Sequence, residues 1–152
     1  MKRKYYIAYG SNLNIRQMTF RCPGAIISGT SEIDDYRLLF KGSKTGAYLT
    51  VEPCKGKKVP VVVWSVTEED IRRLDIYEGY PTFYYRKEMK VSVNGKRVTA
   101  FIYIMHEDRP LAVTSDRYFN ICLEGYEDFG FDPNYLCEAD EYSMRGALKN
   151  ED

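Results

Sequence analysis

Histidine is nearly absent from this 152-residue chain, where His106 is the only one. A Ser-His or Cys-His nucleophile would have to rest on it, and it falls in Met105-His106-Glu107, just past an expected strand, where a surface position is the default. Cysteine is scarce and scattered. Cys22, Cys54, Cys122 and Cys137 form no Cys-x-x-Cys pair, so zinc spacing is excluded and no metal is expected. They read as reduced, mostly buried thiols of a reducing compartment, the cytoplasm. Neither charge predominates: 22 basic residues face 22 acidic ones, and no basic field argues for nucleic acid or an anionic membrane. Long apolar runs are missing too, and Met1-Lys2-Arg3-Lys4 leads into a short apolar run without a small-residue cleavage site. Neither a membrane span nor secretion is expected. The chain carries neither G-x-G-x-x-G nor G-x-x-x-x-G-K-[ST], which removes the common nucleotide loops. Repeats, low-complexity tracts and linkers are lacking as well, so one domain is expected over 1–146 with a polar tail at 147–152.

What the chain does contain is an apolar run that stops abruptly. Tyr5-Tyr6-Ile7-Ala8-Tyr9 favours a pleated strand, Gly10-Ser11-Asn12 reads as a tight turn, and a new periodic segment starts at once. Gly10 admits a positive φ, and Ser11, Asn12 or Asn14 can accept bonds from orphan amides of the next helix. Such a helix start presents unpaired N–H groups and a partial positive charge, which suits a carboxylate beyond the strand's carboxyl end. A capped turn without a ligand uses the same residues.

Ile15, Met18 and Cys22 give a short helix stopped by Pro23-Gly24. Strands are expected at 25–33 and 36–40, turning at Asp34-Asp35 as a hairpin, and at 47–51 after a polar loop over 41–46. Val61-Val62-Val63-Trp64 is apolar on both faces, which marks a central strand over 59–66 with Pro60 near its entry. Thr67 and Asp70 resemble a capping box for a helix with Ile71 and Leu74 inward, ended by Gly79 and Pro81 at about Tyr77-Glu78. Asn94-Gly95 is the strongest hairpin signal, joining strands at 85–93 and 96–105. Ser115 can cap a helix carrying Tyr118, Ile121, Cys122, Gly125, Tyr126 and Phe129 up to Gly130. Asp132-Pro133 opens a last helix with Tyr135, Leu136 and Ala139 inward. These elements make an α+β domain large enough to bury about 70% of its unfolded surface, and their pattern fits an open sheet or a barrel.

Tyr9-Gly10-Ser11-Asn12-Leu13 resembles the Y-G-S-N-[LM] signature of the γ-glutamylcyclotransferase-like family. The likeness continues through Met18, Arg21-Cys22-Pro23, Gly29 and Tyr36-Arg37-Leu38, and Leu74-Asp75-Ile76-Tyr77-Glu78-Gly79 resembles the family's L-D-x-x-E-G segment. The resemblance implies a small mixed β-barrel of about six strands with flanking helices. It implies an enzyme that cyclises an N-terminal γ-glutamyl group to 5-oxoproline, releasing an amine or amino acid. Its partner is a small-molecule γ-glutamyl substrate, and no cofactor is needed because the nucleophile is built into the substrate. Two alternatives are removal of γ-glutamyl from a side-chain amine or biosynthetic intermediate, and a non-catalytic binder of small carboxylates.

Carried over residue by residue, Glu78 takes the family's general acid/base role. Its place at a helix C-terminus beside Tyr77 and Tyr80 gives independent reasons for a raised pKa. Tyr9, Gly10, Ser11, Asn12 and Leu13 hold the glutamyl end. Tyr103 and Tyr118, among 14 tyrosines, resemble the family's pocket-lining ones. A third follows the glutamate: counting from Glu78 selects Tyr85, aligning from the strand selects Tyr84, and neighbours on a strand face opposite ways. Relatives often carry a glycine where this chain has Val61-Val62-Val63, which is expected to narrow the cavity.

Overall fold

The computed structural model describes residues 2–43 and 46–149. Five strands, β1 (Arg3–Ala8), β2 (Ile26–Ser43), β3 (Gly46–Thr67), β4 (Tyr84–Val93) and β5 (Lys96–Met105), form one sheet in the order β2-β3-β1-β5-β4. Around it lie α1 (Ile15–Arg21), α2 (Glu68–Glu78), α3 (Asp116–Phe129) and α4 (Asn134–Lys149). β1 is short but central: it pairs antiparallel with β3, Ala8 opposite Val62, and parallel with β5, Tyr6 opposite Phe101. This inner position explains its apolar end and the burial of Val61, Val62 and Val63 on β3.

The architecture is α+β and barrel-like, yet among the described residues it has five strands rather than about six, and no backbone ladder joins its edges. Edge strands β2 and β4 meet through side chains instead: Asn94 Nδ2 donates to Ser28 O at 2.6 Å and Lys87 Nζ to Tyr36 OH at 3.1 Å. The strand count differs because Asp34-Asp35 does not reverse the chain. Asp35 adopts a left-handed φ of 62° and accepts from Gly56 N, so residues 25–33 and 36–40 stay collinear within β2, while β3 bulges opposite. Strand pairing runs through Ser43 opposite Gly46, into the expected 41–46 loop, of which 44–45 lie outside the described residues. The outer edge of β2 is covered: Phe40 N donates to Ser143 Oγ of α4 at 2.9 Å, and Ala112 N donates to Phe40 O at 3.1 Å. α4 itself remains helical to Lys149, past the boundary expected for a polar tail; 150–152 lie outside the described residues.

Local signals place the last turn of α2. Thr67 and Asp70 close a reciprocal capping box, and Asp70 also accepts from Gly24 N, tying α2 to the segment after α1. Ile71 and Leu74 are buried, and Gly79 ends the helix in the left-handed region at φ 66°, which leaves Glu78 as its final residue. α3, capped by Ser115 and ended by Gly130, lies against the chain after β1, where Asn14 Nδ2 donates to Ile121 O at 2.9 Å.

Candidate active site

Between β1 and α1 the chain makes a 3-10 turn, Ser11–Leu13. The Leu13 and Asn14 amides are used inside it, bonding Gly10 O at 3.0 Å and Ser11 O at 3.1 Å. Those of Ser11 and Asn12 have no protein acceptor among the described residues. Two of the first amides of α1 are already taken, because Asp128 Oδ2 accepts from Ile15 N and Asn14 Oδ1 from Gln17 N. The anion site expected at a helix start therefore contracts to the turn. Gly10 has φ −126° rather than a positive value, and a Cβ there would reach contact distance, 3.4 Å, of Leu49 Cβ and of Tyr118 OH.

A cavity of about 560 Å³ opens over this turn. Tyr9, Gly10, Ser11 and Asn12 form one wall and Glu78 another, so the two motifs, far apart in sequence, face each other across it. Asn12 Nδ2 donates to Glu78 Oε1 at 3.2 Å and to Tyr6 OH at 2.7 Å. Burial pushes the Glu78 pKa up to about 7 from its ordinary 4.5, opposed by the Arg21 charge and the Asn12 hydrogen bond. Near neutrality Glu78 is thus able both to take and to return a proton.

Tyrosines complete the walls. Burial raises the pKa of Tyr6, Tyr9, Tyr84, Tyr103 and Tyr118, and the Glu78 charge adds to it, so all five stay protonated at neutral pH. Tyr9 OH donates to Tyr103 O at 2.7 Å, Tyr103 OH to Asp75 Oδ1 at 2.6 Å and Tyr84 OH to Leu49 O at 2.7 Å. Tyr118 OH instead accepts from Leu49 N at 3.1 Å, and Tyr6 OH accepts from Asn12. The Tyr6 proton has no protein acceptor among the described residues, which leaves it available to a substrate oxygen, whereas the Tyr118 hydroxyl also lies against the Cys122 thiol as a hydrogen-bond partner.

Two residues expected in the site lie elsewhere. Leu13 is fully buried beneath the turn and lines nothing, because its side chain packs into the core against α3. Tyr85 points away from the cavity, donating to Glu107 Oε2 beside the His106 ring; Tyr84, the neighbour on the opposite pleat, lines the wall. Tyr84→Phe is expected to cost about 1 kcal/mol of stability with its Leu49 bond and to lower turnover several-fold, while Tyr85→Phe leaves turnover at the parent rate. Steady-state rates and urea midpoints of the two variants check this, and equal rates would return Tyr84 to packing alone. Val61, Val62 and Val63 are absent from the walls, so their bulk does not narrow the cavity.

Of the other wall residues, Tyr77 was expected beside Glu78, and the rest carried no sequence signal of their own. Tyr6 enters because β1 pairs in register with β5, and Tyr48, Tyr77 and Arg109 enter from β3, α2 and the β5–α3 loop. Arg109 stacks over the Phe83 ring at 4.7 Å and forms no ion pair among the described residues. Among the described residues there is no group of three or more His, Cys, Asp or Glu side chains placed to hold a metal, and no helix long and apolar enough to cross a membrane.

Residues 6–120 match the profile of the family described as gamma-glutamyl cyclotransferase, AIG2-like. The chain belongs to this family. It is 31% identical over 163 residues to the gamma-glutamylcyclotransferase of Homo sapiens, spanning 97% of this chain and 85% of that protein. The gamma-glutamylcyclotransferase of Mus musculus is 30% identical over 162 residues, spanning 96% and 84%. With this relationship over most of its length, the family member described here is an enzyme of the gamma-glutamylcyclotransferase type. A solved gamma-glutamyl cyclotransferase superposes with a TM-score of 0.80 at 28% identity, covering 91% of this chain and 86% of the other. YkqA of Bacillus subtilis, at 16% identity and a TM-score of 0.77, shares the fold; 95% of this chain corresponds to 55% of that protein.

Proposed function

We propose that this enzyme cyclises the γ-glutamyl end of a small substrate to 5-oxoproline, with Glu78 carrying the proton. The observation that carries the reading is the Glu78 carboxylate, titrating near neutrality and joined through Asn12 to the turn that offers two free amides. The substrate's α-carboxylate sits at the Ser11 and Asn12 amides. Its α-amine is then brought against its own γ-carbonyl, an intramolecular arrangement that removes much of the entropic barrier. Glu78 accepts a proton from the attacking nitrogen, a C–N bond forms to the γ-carbon, and charge collects on the carbonyl oxygen, where the Tyr6 hydroxyl can donate. The old C–N bond breaks as Glu78 returns the proton to the leaving nitrogen. Carbon, nitrogen and proton balance within one substrate, so no cofactor is called on.

Arg109 supports a leaving group that bears a carboxylate. It is a cation at the cavity wall without an ion-pair partner among the described residues, and its ring contact with Phe83 holds the guanidinium in place. A hydrogen bond to a charged group is worth roughly 1.5–3 kcal/mol, so Arg109→Ala is expected to raise KM for γ-glutamyl amino acids by about 10–100-fold. KM for γ-glutamyl compounds whose leaving amine has no carboxylate should not move. The test is mass-spectrometric detection of 5-oxoproline from a panel containing γ-glutamyl amino acids, simple γ-glutamyl amines and γ-glutamyl groups on side-chain amines. No 5-oxoproline from any member, with ligand still bound, would overturn the cyclotransferase reading in favour of a binder.

A further inference from the structure

Asn12 has one freedom that its own backbone does not settle. Trp64 Nε1 donates to Asn12 O at 3.0 Å and fixes the main chain, but the side-chain amide could still rotate and exchange its oxygen for its nitrogen. The two orientations differ in effect. One gives the Glu78 carboxylate a donor, which favours its charged form; the other gives it an acceptor, which favours the neutral acid. On the far side of that amide stands Arg21, the last residue of α1, whose guanidinium donates to Asn12 Oδ1 and to Gln17 Oε1 at 3.1 Å and stacks on the Tyr77 ring at 3.4 Å. A guanidinium donates and never accepts, and it stays protonated throughout the working range. Only the amide oxygen can face it, so the amide nitrogen must face Glu78 and Tyr6.

We propose that Arg21 is a positioning residue of the active site, locking the Asn12 amide so that it donates to Glu78 and thereby holding the base ready to ionise. Arg21 touches no reacting atom and acts through Asn12 and through its charge. The other titratable groups facing Glu78 are Tyr6 on β1, Tyr9, Tyr77 on α2, Tyr84 on β4, Tyr103 with Asp75 behind it, and Tyr118 on α3. Burial among these groups raises the Glu78 pKa and the Arg21 charge opposes that rise, while Arg109 from the β5–α3 loop is a second cation at the cavity wall.

The inference rests on Glu78 as the proton carrier, and its test separates the two. In Arg21→Met the Glu78 carboxyl, assigned in 13C NMR by comparison with Glu78→Gln, should titrate about one unit higher, and the acid limb of kcat/KM should move with it. At fixed pH below the limb that is about a tenfold loss, recovered at alkaline pH. Arg21→Lys, still a donor-only cation, should titrate near the parent. If Arg21→Met does not fold, Arg21→Gln, neutral and able to accept as well as donate, replaces it with the same expected shift. An unchanged Glu78 titration in the neutral variant overturns the positioning role, as does a loss of rate equal at every pH. A shifted titration that kcat/KM fails to follow supports Arg21 and overturns Glu78 as the base.

Discussion

Glu78→Gln is expected to reduce 5-oxoproline formation by at least about 10²–10⁴-fold, the usual worth of proton transfer by a positioned group. Glutamine keeps the size of the side chain and an oxygen for the Asn12 amide to donate to, but it can neither take a proton nor return one. Binding of a γ-glutamyl ligand should persist, since the Ser11 and Asn12 amides are untouched. Stability should move the other way. Burial raises the Glu78 pKa from about 4.5 to about 7, so the folded state binds more protons than the unfolded state between those values and the parent loses stability as pH rises through that window. Glutamine has no such loss. The variant's advantage in thermal midpoint should therefore be small below pH 4.5, grow up to about pH 7 and level off above. A folded variant that turns over at the parent rate removes Glu78 from the mechanism, and a midpoint difference independent of pH would mean the carboxylate is solvated.

Gly125→Ala is expected to lose about 10²-fold in turnover from a single methyl group well away from Glu78. In α3 a Cβ at this position would lie 2.8 Å from Leu13 Cβ and 2.8 Å from Asn14 N, distances that a backbone neighbour cannot relieve by rotating a side chain. α3 must back away from the turn. Alanine gains about 1 kcal/mol over glycine in helix propensity, but overpacking of this kind costs about 1–3 kcal/mol, so the net change in stability is small or unfavourable. Activity suffers more than stability, because the displaced turn carries Ser11 and Asn12, and a misplacement of about 1 Å can cost 10²-fold. Urea denaturation alongside kcat/KM reads both effects. A variant with parent turnover would mean that α3 does not set the position of the turn.

Local chemistry was legible where it is local. The capping box of Thr67 with Asp70 and the left-handed Gly79 depend on residues a few positions apart, so the start and end of α2, and with them Glu78, could be read directly. The Asn94-Gly95 hairpin was equally plain, since both of its turn residues need a positive φ, and both have one. Asp34-Asp35 misled because an aspartate in the left-handed region marks a turn or a bulge alike, and only pairing with β3 decides which. Tyr84 and Tyr85 could not be separated by counting, since the pleat fixes that they differ but not which faces in.

The sequence by itself determined the two motifs, the elements that end in them and the absence of any charge field or nucleotide loop to suggest other chemistry. The tertiary structure alone decided that the turn and Glu78 share one cavity, because β1 had to insert between β3 and β5 before the end of α2 could come to face Asn12. It also decided the electrostatics. The helix end beside Tyr77 gave local reasons for a raised pKa, but what carries Glu78 up to about 7 is burial among tyrosines drawn from four strands and two helices, which only packing assembles.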